Sequence, residues 1–354
     1  MFIRKLQLTN YKNHQKKVFL FEESMHAFVG LNGVGKTNIL DSIYTLCIGK
    51  SYFNTSDKNC VKQGENFYRL EMNLIDTAAR QVVITFEQGK KKRILVDEIP
   101  YEKNSNHVGH FPAVMVSPND NQLITGNSEE RRKFIDVTLA QISPTYLQQL
   151  VKYNSVLKQR NALLKQAEYR GLDKNLLAIY NESLSQSGQF IFDMRKTFFI
   201  DIQAYFEQSF KFLAAKNEGY KMHYKSDLLQ GDFNEQLQQS LQKDLILRRT
   251  NKGIHKDDIV FLKEDDTLKD FGSQGQQKTF LLALKLTQFN FLKAQLNKVP
   301  LFIIDDIFDK LDSKRSQNLV RFLVEQKGQV FISNTDNLIF QNLMDLTVQI
   351  FEVE

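Results

Sequence analysis

The chain has 354 residues, 42% of them hydrophobic and 25% charged, a balance that fits a soluble globular protein of one large domain with an insertion, or two ordinary domains. Two cysteines, Cys47 and Cys60, make neither a disulfide framework nor a zinc pattern, no stretch approaches 18 uninterrupted apolar residues, and the opening MFIRKLQLTNYKNH lacks the apolar centre of a secretory signal, so a cytoplasmic chain with no membrane span is expected. The net charge of +6, from 47 basic against 41 acidic residues, permits a polyanionic partner without demanding one.

The first hundred residues alternate apolar and polar with period two. Leu6 and Leu8 alternate with Gln7 and Thr9; Tyr68, Leu70, Met72 and Leu74 alternate with Arg69, Glu71 and Asn73; Val82, Ile84 and Phe86 follow the same rule. That period predicts half-buried strands, with Phe67 to Ile99 an antiparallel meander. Between these strands lies Gly30-Leu31-Asn32-Gly33-Val34-Gly35-Lys36-Thr37, which fits G-x-x-x-x-G-K-[ST] at every position. The glycines let the backbone curl so that successive N–H groups face a phosphate, and the helix opening at Lys36 turns its positive end to the same anion. Lys36 would reach the β- and γ-phosphates of ATP and the Thr37 hydroxyl would ligate Mg²⁺. A glycine turn before a helix needs no ligand, but here an apolar strand (His26–Val29) leads in and an apolar helix (Asn38–Ile48) leads out, the context the motif requires.

After Pro118 the texture becomes helical. No proline occurs between Thr145 and Val299, and Phe199, Ile202, Phe206, Phe210 and Leu213 fall on one face of a single helix, as a packing stripe would. The reading divides the chain into an ATPase head over 1–127, an inserted helical arm over 128–225, and the rest of the head over 226–354. The arm has 15 basic against 10 acidic residues, so most of the excess positive charge is expected there. Lys90, Lys91, Lys92 and Arg93 form a basic run at a strand turn, and Arg131 and Arg132 open the arm; runs of this kind usually face solvent, and these six are the candidate DNA contacts. His255 reads as a hydrogen-bonding histidine, because no Cys or His cluster surrounds it.

The last third returns to α/β. VPLFIIDD is a continuous apolar run, as a strand buried on both faces should be, and QVFISN is another. An acidic residue closing such a strand beside a phosphate loop holds Mg²⁺, and Asp305 fits; Asp306, on the strand's other side, would polarise the attacking water. Asp305 follows Lys36 by 269 residues, too many for a compact nucleotide kinase but natural for a head with an insertion. In that gap stands Phe271-Gly272-Ser273-Gln274-Gly275-Gln276-Gln277-Lys278, a serine cap before a helix expected at Thr279–Asn290. Alone it would be only a cap. Between a phosphate loop and a Mg²⁺ strand, it offers a second anion-binding helix end and looks like an ABC signature motif.

Taken together, LQLTNYKNH, GLNGVGKTNILDSIY, VSPNDNQLITGNSEERRKFID, KGIHKDD, FGSQGQQKTFLLALKLTQ and FIIDDIFDKLD resemble the RecF family of SMC-like ABC ATPases over essentially the whole chain, the third and fourth stretches most specifically. The resemblance implies an ABC-type α/β head with mixed sheets around the phosphate loop and an inserted helical arm. It adds Lys12, Asn13 and Asn38 to the ATP contacts and gives Ser273, Gln274, Gly275 and Gln276 a signature role toward ATP on a second copy. The D-loop role goes to Asp309, Leu311 and Asp312. It further implies an ATP-dependent homodimer, slow hydrolysis that resets it, binding to gapped or junction DNA, and partnership with RecO and RecR mediators in loading recombinase.

The chain also departs from relatives of this kind. Ser333-Asn334-Thr335 stands where ABC transporters carry a switch histidine, and Asp306 replaces their glutamate, a shorter base that implies slow turnover. The rival readings are the ATPase subunit of an ABC transporter, against which the missing histidine and the long insertion count, and a scaffold that binds ATP without cleaving it.

Overall fold

The computed structural model describes residues 1–214, 219–308, 311–336 and 347–354. The chain divides into two compact units, one of Met1–Asp120, Gln208–Lys216 and Lys278–Glu354, the other of Asn121–Glu207 and Asn217–Gln277. Strands β1 (Phe2–Tyr11), β2 (His14–Leu20) and β3 (Met25–Val29) lead to helix α1 (Lys36–Ile48), then to β4 (Phe67–Ile75), β5 (Ala79–Glu87), β6 (Arg93–Val96), β7 (Ile99–Pro100) and β8 (Ala113–Val116). The second unit follows with α2 (Gln122–Thr125), α3 (Ser128–Ile142), α4 (Pro144–Arg170) and most of α5 (Lys174–Ala214). It continues through β9 (Tyr220–Lys225), α6 (Phe233–Gln239), α7 (Leu241–Leu247), β10 (Asp258–Lys263), β11 (Asp266–Thr267) and α8 (Leu268–Phe271). Helix α9 (Gln274–Leu296) returns the chain to the first unit, which ends with β12 (Leu301–Asp305), α10 (Ser313–Glu325), β13 (Val330–Asn334) and β14 (Val348–Glu352).

In the first unit the period-two segments form an antiparallel sheet in the order β2-β1-β4-β5-β6-β7. Leu6, Leu8, Tyr68, Leu70, Met72, Val82 and Ile84 point to its buried face and share one core with Ile39, Leu40 and Ile43 of α1. Each such aliphatic side chain contributes about 1.5–3 kcal/mol by leaving water, which is what fixes the register. The meander expected from Phe67 to Ile99 is observed as β4 to β7. The continuous apolar runs form a second, parallel sheet in the order β14-β3-β13-β12-β8, whose inner strands β12 and β13 are buried at every residue.

In the second unit β9 pairs antiparallel with β10, from Tyr220↔Lys263 to Lys225↔Asp258. A boundary at 225 would cut that strand pair. The unit therefore runs on to Gln277, and it begins at Asn121 rather than 128. This changes the charge distribution. The unit has 20 basic and 20 acidic residues, because the stretch from 226 to 277, with 7 basic and 10 acidic residues, folds with the arm, while Lys211 and Lys216 fall in the first unit; the whole excess of +6 belongs to the first unit.

The two stretches most specific to the resemblance are bonded to each other in this unit. Arg131 donates through Nε to Asp258 at 2.7 Å and to the carbonyls of Leu123 and Gly126; Arg132 donates to the Asp257 carbonyl at 2.7 Å. Arg195 of α5 joins both sides, donating to Asp136 at 2.8 Å and to Asp257 at 2.6 Å, and Tyr224 donates to Asp257 as well. A second buried pair, Arg160 and Asp244 at 2.8 Å, is completed by Asn181 and Thr250. His255 accepts from the Tyr153 hydroxyl and donates to the Thr250 carbonyl, the hydrogen-bonding role expected of it, and burial holds its pKa down to about 4.

Candidate nucleotide site and its relatives

The three central strands of the parallel sheet end at one edge. β3 runs into the glycine-rich loop, β12 ends at Asp305, and β13, hydrogen-bonded between them, ends at Ser333 and Asn334. Ligands of open α/β sheets sit at the carboxyl ends of the strands, and here those ends place three motifs together.

The loop's shape follows from its glycines. Gly35 has φ +104°, and a β-carbon there would collide with the side chains of Asn13 and His14. Those two side chains brace the loop from outside: Asn13 donates to the Val34 carbonyl at 3.0 Å, and His14 Nε2 lies 3.1 Å from the Gly35 carbonyl. Asn38 donates to Asn13 at 2.7 Å, so the two asparagines are joined. Leu31, Asn32 and Gly33 at the tip are exposed. Lys36 Nζ arches over the loop, donating to the carbonyls of Gly30 at 2.5 Å and Leu31 at 2.9 Å. An ammonium has three donors, so one remains for an anion held in the loop.

Beside the loop, the Thr37 hydroxyl donates to Asp305 Oδ1 at 2.8 Å, and the Ser333 hydroxyl donates to the same oxygen at 2.7 Å. Burial pushes the Asp305 carboxyl above its usual range, an effect those two donors oppose. Adjacent ligands of an octahedral Mg²⁺ at about 2.1 Å stand about 3 Å apart, so the Thr37 and Asp305 oxygens, both hard donors, suit that ion. Among the described residues no group of three or more His, Cys, Asp or Glu gathers as a metal cluster, so an ion here would take its other ligands from substrate and water.

Asp306 lies outside β12, not on the strand's other face as alternation suggested. The backbone turns left-handed there, with φ +49°, and the Asp306 N–H donates to the Ser333 hydroxyl at 3.1 Å. Ser333 thus touches both carboxylate residues, a role that the reading of this stretch as a missing switch histidine overlooked. A signal was present: FIID and FISN are parallel buried runs that end in polar residues at matching positions, and Asp305 pairs with Ser333.

Lys12 is directed elsewhere. Its ammonium pairs with the buried Asp41 at 2.6 Å, and Asp41 also accepts from Tyr11 and Ser51. Of the two residues added near the start, Asn13 touches the loop and Lys12 ties its strand to α1.

In the second unit, Ser273 Oγ accepts from the Gln276 N–H at 3.3 Å while Gln276 Oε1 accepts from the Ser273 N–H at 3.0 Å, a reciprocal cap. The helix it opens is longer than expected, Gln274–Leu296 rather than Thr279–Asn290, because the glutamines and Gly275 join its first turn. Ser273, Gln274 and Gly275 face solvent, and Gln276 is half-buried. Of the D-loop candidates, Asp309 lies outside the described residues; Leu311 donates to the Phe308 carbonyl, and Asp312 caps α10 by accepting from the Arg315 N–H at 2.9 Å.

The candidate DNA contacts separate. Arg131 is buried and bonded to Asp258, while Arg132 is half-buried and donates to the Asp257 carbonyl and to Ser128, so the fold of the second unit engages both. Lys92 pairs with Asp57 at 2.8 Å and Lys90 with Glu87 at 2.8 Å, while Lys91 and Arg93 are exposed.

Residues 2–354 match the family described as RecF/RecN/SMC N terminal domain. The chain is 43% identical over 338 residues to the DNA replication and repair protein RecF of Flavobacterium johnsoniae, covering 95% of this chain and 94% of that one. It is 42% identical over 337 residues to the RecF of Cytophaga hutchinsonii, covering 94% and 89%. The chain belongs to the RecF family. Among solved structures, RecF with ATP, described as the recombination mediator protein of the RecFOR pathway, superposes with a TM-score of 0.89 at 25% identity, covering 98% of this chain and 93% of that RecF. The Smc head domain of Pyrococcus furiosus, with a TM-score of 0.53 at 16% identity, shares the fold. RecF membership and the mixed α/β head agree with the reading of the sequence and set aside the transporter subunit. No helix among the described residues is long and apolar enough to cross a membrane.

Proposed function

We propose that this RecF-family chain is a cytoplasmic, ATP-gated DNA-binding protein of recombinational repair and replication-fork maintenance. ATP is held by Gly30–Asn38 with Asn13 beside the loop; Lys36 gives its remaining donor to the β- and γ-phosphates, and Thr37 with Asp305 holds Mg²⁺, which neutralises phosphate charge. Ser333 keeps the Asp305 carboxylate aimed at Thr37. The exposed cap at Ser273–Gln276 reads the γ-phosphate bound by a second copy, so ATP joins a head-to-tail homodimer with two composite sites. Asp306 orients water for a slow hydrolysis that releases the pair. The dimer binds gapped or junction DNA and works with RecO and RecR mediators to load recombinase.

The observation that supports this reading best is the 2.8 Å hydrogen bond from Thr37 to Asp305, which brings the phosphate loop and the acidic strand end together across 268 residues. Its experiment is a calorimetric ATP titration of the Lys36→Ala variant. The reading expects most of the affinity to disappear with the charge-assisted donor, and near-normal binding would remove the loop from its role.

A further inference from the structure

Antiparallel pairing aligns side chains of neighbouring strands in rows across a sheet. In the six-stranded sheet one row is unlike the others: Lys16 of β2 pairs with Thr9 of β1, Thr9 with Arg69 of β4, Arg69 with Thr85 of β5, and Thr85 with Arg93 of β6. Thr9, Arg69, Thr85 and Arg93 each neighbour a core residue of opposite direction, Leu8, Tyr68 or Leu70, Ile84 and Ile94, and Lys16 joins them by its pairing with Thr9, so the row lies on the face away from α1. Helix α1 packs on the other face of this sheet, and all five members of the row are exposed or half-buried. Three cations therefore alternate with two hydroxyls along a line of four strand spacings, about 19 Å.

The surroundings favour an anion. The first unit holds the whole net charge of +6. The nearest carboxylate, Glu71, is already engaged by Arg69 at 2.8 Å and by Gln81 at 3.0 Å, and takes one of the five guanidinium donors of Arg69. Lys91 stands on the turn that leads into Arg93 and extends the line at its end. Cations two strands apart stand about 10 Å from one another, close to the ~12 Å width of the major groove, so alternate members can meet phosphates on its two rims. Lysine, arginine and threonine are phosphate-contacting side chains that position a duplex without reading its sequence. A single strand would need aromatic platforms for its bases. Phe67 is the exposed aromatic on this face, and it stands opposite Glu87.

We propose that the open face of this sheet docks the phosphate backbone of duplex DNA, with Lys16, Arg69 and Arg93 as its contact line and Thr9 and Thr85 as hydrogen-bonding spacers. This rests on the DNA-binding reading above; it keeps Arg93 of the candidate contacts and sets Lys16 and Arg69 beside it in the first unit. All three cations are on the surface, and their neutral replacement leaves the phosphate loop and the cap at Ser273 untouched.

The test is fluorescence anisotropy of a labelled blunt duplex and of a single strand of equal length, at several salt concentrations, with ATP and Mg²⁺ present. The full chain is compared with the triple variant Lys16→Gln, Arg69→Gln, Arg93→Gln and with a control that loses three exposed cations of the second unit, Lys165→Gln, Lys174→Gln, Arg249→Gln. The proposal expects the triple variant to bind duplex more weakly and its slope of log K against log salt to fall by about 2.7, which is ~0.9 for each of three phosphates. The control should keep the wild-type slope, and ATP-induced dimerisation should be equal in all three. An unchanged duplex slope in the triple variant overturns the proposal, as does an equal loss in the control, or a loss confined to single strands. A wild-type chain that binds no DNA at all instead removes the reading on which the proposal stands.

Discussion

Thr37 and Asp305 share a 2.8 Å hydrogen bond that closes the candidate site between α1 and the end of β12. Both oxygens suit a hard divalent cation, and the carboxylate is buried. The Asp305→Asn variant should bind ATP with much weaker dependence on Mg²⁺. Burial raises the Asp305 pKa, so the native state binds its proton more readily than the unfolded chain and the ionised form costs stability at neutral pH. Without Mg²⁺ the variant should therefore melt at a higher temperature than wild type at pH 7, and the gain should shrink as the pH falls and Asp305 protonates. Calorimetric melting at several pH values checks this; a lower Tm at pH 7 would contradict it.

Ser333 donates to Asp305 and accepts from the Asp306 N–H, so a single hydroxyl orients both acidic residues. Ser333→Ala should lower the ATPase kcat about tenfold, of order one hydrogen bond to a charged group, with little change in ATP affinity. The Mg²⁺ concentration for half-maximal activity should rise, and Ser333→Thr should restore much of both. Wild-type turnover and Mg²⁺ response in the alanine variant would leave Ser333 as an ordinary buried serine.

Ser273 faces solvent at the start of α9, and its N–H and hydroxyl are held by Gln276. A bulky cation there should block the γ-phosphate of a second copy while leaving the chain's own phosphate loop intact. The Ser273→Arg variant is expected to titrate with ATP as wild type does yet stay monomeric in light scattering. Dimers of that variant at saturating ATP would show that the cap is only a cap.

Much of this architecture is legible in the amino-acid order, and the gaps have physical causes. The phosphate loop, the meander and both buried strands announce themselves because backbone curvature and burial each demand a residue type at a fixed spacing. The limit of the second unit does not, since β9 and β10 become partners only through pairing across a long connection. For the same reason, charge counted along the chain misled: the acidic residues that neutralise the arm follow it in sequence. Arg131 and Arg132 look like any exposed basic run until Asp257 and Asp258, over a hundred residues away, are folded against them. Ser333 was hidden by expecting a histidine at its strand end.

If ATP joins two copies and Asp306 ends the partnership, the lifetime of the ATP-bound dimer should depend on Asp306. Sedimentation velocity of wild type and Asp306→Asn with Mg²⁺ and ATP, followed over hours, tests it most directly. Both should dimerise on ATP addition, wild type should return to monomer as ADP accumulates, and the variant should stay dimeric because its ATP is not cleaved. Monomers of wild type at saturating ATP, or a variant that decays to monomer as fast as wild type, would contradict it.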